Sequence, residues 1–265
     1  MKLIDLSELS RLPSFELIES NRAVLADRSN QLTFCCHLAD SLNYSLDTSA
    51  VSCLLLNRYW VNCPEDLSEA LIPAAVGLAA KIVEPHNLVE LRATLELRKR
   101  LLGLETFESE DQDFREKVVF FETKLFKFNS AETEIPVAFG IIDRLHKVIK
   151  HSAKDEIIAS SAIFAMDMYK SPYCVCFPPA NIAASALLSA LTLPKITLSA
   201  KDLNIDIETE EKKVEALRGE DKGGEALRGE GFNQKFPWKV LLGIEYAKVK
   251  QLAELHFTYL AYLKK

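Results

Sequence analysis

Paired cysteines are missing from this chain. Its six cysteines, Cys35, Cys36, Cys53, Cys63, Cys174 and Cys176, include no C-x-x-C pair, which removes the ligand spacing of zinc ribbons and fingers. Glycine and proline are scarce, 9 and 10 in 265 residues, fewer than a turn-rich β protein carries. No uninterrupted apolar run approaches the ~20 residues of a membrane span. The opening segment MKLIDLSELSRLPSFELIES is too interrupted by acids for a signal peptide. A soluble, intracellular protein is expected. Catalytic signatures are absent too. The Arg-Gly-Glu repeats lack the strand before and the Gly-Lys-Ser end of a phosphate loop, and there is no G-x-S-x-G elbow. The five histidines, His37, His86, His146, His151 and His256, are scattered. His146 and His151 are five apart and miss the i, i+4 face of a helical metal pair. Each is expected at the surface or at a cap. No catalytic residue, metal or cofactor is assigned, and the chain does not read as an enzyme.

What is present is ordinary globular composition, 48% hydrophobic and 26% charged. It is enough for one large domain or two of about 130 residues. The net charge of −6 gives no global electrostatic reason to bind nucleic acid, whose affinity comes largely from Lys and Arg on phosphates. A local basic face stays open. Cys35 and Cys36 sit in a helical pattern, where free cysteine acts as a small buried apolar residue.

The dominant period is helical. Leu32, Cys35, Cys36, Leu38, Ala39 and Leu42 form an i, i+3, i+4 stripe over 28–42. Asp47 is the expected N-cap of a second helix through Val51, Leu54 and Leu55 to Trp60. The third, 69–83, is lined by Ala70, Ala74, Ala75, Gly77, Ala79 and Ala80. Such small side chains let neighbouring backbones come close on several sides. Lys81 is the first charge after that run and is expected where the buried helix reaches the surface. Further helices are expected over 87–102 and 114–126. The pattern then restarts with 135–149, 156–169 and a second small-residue helix over 178–191, which points to internal duplication. The stretch 208–231 stands apart: Glu215-Ala-Leu-Arg-Gly-Glu220 recurs as Glu225-Ala-Leu-Arg-Gly-Glu230. It is too charged and glycine-bearing to bury a core, and reads as a flexible insertion. Helix resumes near Phe236-Pro237-Trp238 and runs to the C-terminus.

Three motifs together resemble the cyclin box: Asn57-Arg58-Tyr59-Trp60 closing one helix, Leu78-Ala79-Ala80-Lys81-Ile82-Val83-Glu84 closing the small-residue helix, and Glu122 within VVFFETKLF. Tyr173 to Ala183, with its Pro-Pro-x-x-Ile-Ala string, is similar to the second cyclin repeat and looks most like transcription-type cyclins of the cyclin C and cyclin H kind. The resemblance implies an all-α fold of tandem five-helix repeats. It divides the chain into an N-terminal segment or helix (1–26), a first cyclin box (27–130) and a second repeat (131–265) that carries the flexible insertion. The upstream Asn21-Arg22-Ala23-Val24-Leu25 resembles the substrate-docking segment of cell-cycle cyclins. Counting back from Arg58, however, places the family's first-helix arginine on Arg28, and we take Arg28 and Arg58 as the structural arginines. Val83 stands where the family usually has an acid.

The resemblance implies a regulatory subunit that binds and activates a cyclin-dependent kinase, within a larger transcription complex and in the nucleus. It carries no direct contact with nucleic acid or membrane, and no clear basic import signal is present. Lys81, Ile82, Glu122 and Leu125 are the implied kinase contacts. Alternatives are a cell-cycle cyclin, a cyclin-fold scaffold without a kinase, and a protein similar to transcription factor IIB. The last is expected to carry a zinc ribbon and a basic face, which this sequence lacks.

Overall fold

In the computed structural model the described residues are 3–5, 22–104, 108–196, 198, 202–203, 242 and 244–264. Their regular structure is helical: α1 (Arg22–Ser41), α2 (Leu46–Asn62), α3 (Leu71–Val83), α4 (Leu91–Leu102), α5 (Glu108–Phe128), α6 (Phe139–Val148), α7 (Lys154–Tyr169), α8 (Pro179–Thr192) and α9 (Tyr246–Lys264). A single 3-10 turn, Pro172–Val175, lies between α7 and α8. The repeat over 208–231 and the Phe236-Pro237-Trp238 segment lie outside the described residues. No described helix is long and apolar enough to cross a membrane.

The chain forms two compact units. The first comprises Met1–Val137, Met166–Pro178 and Tyr259–Lys265; the second comprises Ala138–Ala165 and Pro179–Thr258. In the first unit α3 packs against α1, α2, α4 and α5. This is why it is built from alanine: from Leu71 to Ala80 every residue but Gly77 is buried, and short side chains allow four neighbours to approach. α2 is nearly as enclosed, buried from Thr48 through Asn57 and again at Tyr59 and Trp60. Asn57 is the polar member of that interior. Its amide donates to Cys53 O at 3.1 Å and to Tyr169 O at 3.0 Å, so the buried side chain keeps its hydrogen bonds.

Helix ends explain several boundaries. Ser45, not Asp47, caps α2: its backbone is extended and its hydroxyl accepts from Thr48 N at 3.4 Å, while Asp47 falls within the first turn. α4 begins at Leu91 rather than at Asn87, because Asn87 is drawn into the turn by hydrogen bonds to Glu84. It ends at Gly103, whose φ of 65° suits the left-handed cap, with Leu104 N reaching back to Lys99 O. α1 begins at Arg22, so the stretch read as lying upstream of the first helix forms its opening turns. Leu25 there is buried beside Tyr259, which withdraws it from any exposed docking patch.

In the second unit α8 takes the place of α3. Every residue from Asn181 to Leu191 is buried, and α8 packs on α6. Ser185 Oγ donates to Val249 O of α9 at 2.8 Å. Leu145, Ile149, Ile157, Leu187, Leu191 and Val249 lie in one core. His256 departs from its expected surface place and is fully buried. It falls on the buried stripe of α9, three and four residues after Ala253 and Leu252.

Glu84, which closes α3, also secures the start of α2. Its Oε1 accepts from Ser45 N at 2.8 Å, Ser45 Oγ at 2.7 Å and Thr48 Oγ1 at 2.6 Å. Partial burial raises the carboxyl, but the hydrogen bonds from Thr48, Ser45 and Asn87 outweigh it and bring the pKa down to about 2, from 4.5. A depressed carboxyl stabilises the fold above its unfolded pKa, and that contribution fades as pH falls from about 4.5 towards 2. Solvent screens much of it at this partly exposed site. Glu84→Gln is therefore expected to lower stability by about 1 kcal/mol at neutral pH. Urea titrations of both proteins should converge as pH approaches 2; a constant difference across that range overturns this account.

Candidate functional site

The exposed end of α3 meets the outer face of α5 on the surface of the first unit. α5 is held against α2 by its aromatic residues: the Tyr59 ring stands edge-on to Phe121 at 6.3 Å and to Phe128 at 5.4 Å. Val118, Phe121 and Leu125 face inward, which turns Glu122 to the rim. α3 arrives from the interior and releases its first charge at Lys81, whose side chain is 53% exposed against 25% for Glu122. Lys81 Nζ donates to Glu122 Oε1. Two residues 41 apart in sequence are thus brought into one exposed ion pair. A pair of this kind holds its partners by only about 0–1 kcal/mol, so both charges can be exchanged for those of another molecule.

The apolar surroundings differ from expectation in one respect. Ile82 is half-buried beside Lys81. Leu125 is only 1% exposed and belongs to the core beneath the pair. The residues that share the Glu122 face lie three before and four after it: Val119, 54% exposed, and half-buried Phe126. Sequence reading passed over both, although the helical period from Glu122 carries the signal. On the adjoining flank, Lys124 Nζ lies 4.6 Å from the ring centre of exposed Phe120.

Both arginines singled out from the sequence are largely withdrawn from solvent. Arg28 is 5% exposed; it donates to Pro64 O, and its guanidinium stands 5.4 Å from the Trp60 ring centre. Burial lowers its pKa to about 10, with Tyr259 acting in the opposite sense, so it stays cationic at neutral pH. Arg58 donates to Asn129 Oδ1 and lies 3.4 Å from Glu132 Oε2. It thereby fastens the end of α2 to the turn after α5, where Ser130 and Ala131 adopt positive φ.

The cysteines are free thiols. Cys36 and Cys53 Sγ lie 3.5 Å apart. The hydrogen bond to Cys53 and then burial push the Cys36 thiol up, and burial raises Cys174. Thiols so placed are poor nucleophiles at neutral pH. Among the described residues no group of three His, Cys, Asp or Glu is arranged to hold a metal ion.

No family model matches the chain, and no curated protein does. Among the described residues both units are helical, and each has a small-residue helix in its interior. Among solved structures the chain is similar to a viral cyclin from herpesvirus saimiri, at 15% identity, with 96% of this chain and 94% of that chain covered and a TM-score of 0.55. The fold is the cyclin fold.

Proposed function

We propose that this protein is a cyclin: a regulatory subunit, not itself an enzyme, that binds and activates a cyclin-dependent kinase. The observation that carries the reading is the Lys81–Glu122 pair, which joins the end of α3 to the outer face of α5, in the motif positions that resemble the cyclin box. A kinase of this class becomes active when one of its helices swings inward, so that a glutamate on it pairs with the active-site lysine. A subunit that binds only the inward conformation shifts the population towards it. Lys81 and Glu122 offer a donor and an acceptor side by side, with half-buried Ile82 next to Lys81 in sequence and buried Leu125 one turn of α5 after Glu122. Arg28 and Arg58 hold the framework. The Pro-Pro-x-x-Ile-Ala string of the second repeat favours a kinase of RNA polymerase II transcription, within a larger complex in the nucleus.

The test is a pull-down from native extract with wild type and the exchange variant Lys81→Glu/Glu122→Lys, reading bound kinases by mass spectrometry. Capture of one kinase by wild type and its loss in the variant is the expected result. Capture of none by folded wild type overturns the proposal and leaves a cyclin-fold scaffold. Capture unaffected by the exchange removes the interface.

A further inference from the structure

Three of the six cysteines meet where α1 packs on α2. Cys36 Sγ lies 3.5 Å from Cys53 Sγ, although the residues stand 17 apart in sequence. Cys53 is also hydrogen-bonded to Cys35. Adjacent residues on a helix point about 100° apart, so contact with both sets Cys53 between them. Access to the three differs. Cys35 and Cys53 are 0% exposed, whereas Cys36 is half-buried and offers the one way in. Cys36 also feels the charges at the end of α7. Lys170 acts to favour its thiolate, and Asp167, 3.3 Å from Lys170, opposes that effect.

We propose that Cys36 and Cys53 form a reversible disulfide that staples α1 to α2 when the protein meets a peroxide. The Cys36 sulfur attacks one peroxide oxygen and the O–O bond breaks, which leaves a sulfenic acid on Cys36 and releases water. The Cys53 sulfur then attacks the Cys36 sulfur. The S–O bond breaks, and a second water leaves with the Cys53 proton. The two thiols lose two electrons in all, and the peroxide gains them. A dithiol reductant reverses the bond by exchange. The sulfurs close from 3.5 Å to about 2.05 Å, a movement shared between two side chains.

The surroundings set the rate and the oxidant. The hydrogen bond to Cys53 and then burial hold Cys36 protonated, so the pair reacts slowly and answers sustained rather than brief exposure. A half-buried sulfur admits a molecule as small as a peroxide but not the active site of another protein. The bond restricts the unfolded chain over the 17 positions it spans, so the oxidised protein is the more stable form. The inference does not rest on kinase binding.

The experiment incubates the reduced, folded protein with hydrogen peroxide, counts the remaining thiols after denaturation, and maps unreduced peptides by mass spectrometry. Wild type is expected to lose two of its six free thiols and to yield one linked pair of peptides, carrying Cys36 and Cys53. Its urea midpoint should rise by about 1 M, and dithiothreitol should restore the thiols and the original midpoint. Cys36→Ser, confirmed as folded by circular dichroism, should lose thiols at least about tenfold more slowly, while Cys63→Ser behaves as wild type. Cys36→Ala serves in its place if the serine unfolds the protein. No thiol loss in the folded protein, a sulfinic acid on Cys36 without a link, or a link between any other pair overturns the proposal. So does an unchanged rate in the Cys36 variant.

Discussion

Single reversal of Glu122 to Lys is expected to weaken kinase binding by about 2–5 kcal/mol, the range for truncating one partner of a hydrogen-bonded charge pair at an interface. In the free protein the same change sets a cation beside Lys81 in place of its acceptor. Because both groups are partly exposed, the fold should lose less than about 1 kcal/mol. The exchange variant Lys81→Glu/Glu122→Lys separates the two effects. It keeps an attractive pair within the chain while reversing the charges offered to a partner, so stability recovers and binding does not. Calorimetry against the kinase captured in the pull-down, beside thermal melts of each variant, checks both halves. Recovery of binding in the exchange variant would show that only the internal pair matters, and the surface would then lose its assigned role.

Trp60→Ala is expected to be the most damaging single change in the first unit, at about 3–5 kcal/mol. Trp60 is 1% exposed, and its indole N–H donates to Asp66 O at 2.9 Å. The guanidinium of Arg28 lies against its ring. Truncation opens a cavity that four packed helices cannot close, and leaves a buried cation without its aromatic neighbour. Trp60→Phe restores much of the volume but not the hydrogen bond and should recover more than half of the loss. Urea unfolding of the three proteins decides the matter; a Trp60→Ala loss below about 1 kcal/mol contradicts the packing described.

The helices were legible where periodicity was strong. The alanine face of α3 announced an enclosed helix, and the emergence of Lys81 followed from its being the first charge after that face. The pairing of Lys81 with Glu122 is different in kind. The residues stand 41 apart, and no local pattern brings them together; the family resemblance alone placed both at one site. Leu125, named from the family resemblance as part of a packed centre, lies in the core; one turn of α5 carries apolar residues on two sides, and periodicity does not say which side meets α3. Helix starts were read less well. Side-chain partners from distant segments decide them, as when Glu84 at the end of α3 selects Ser45 as the beginning of α2. His256 was missed because an imidazole was judged by its polarity rather than by its position on the α9 stripe.

The first unit includes Tyr259–Lys265, and Tyr259 and Leu263 lie with Leu25 and Tyr173 in one apolar cluster. During synthesis, therefore, α1 to α5 leave the ribosome long before the unit that contains them can be finished. Domains usually fold in order of emergence, but here Leu25 of α1 meets Tyr259 and Leu263 only after the residues of the second unit have emerged. A nascent chain that has not yet reached Tyr259 leaves Leu25 without Tyr259 and Leu263, two of the apolar residues of its cluster.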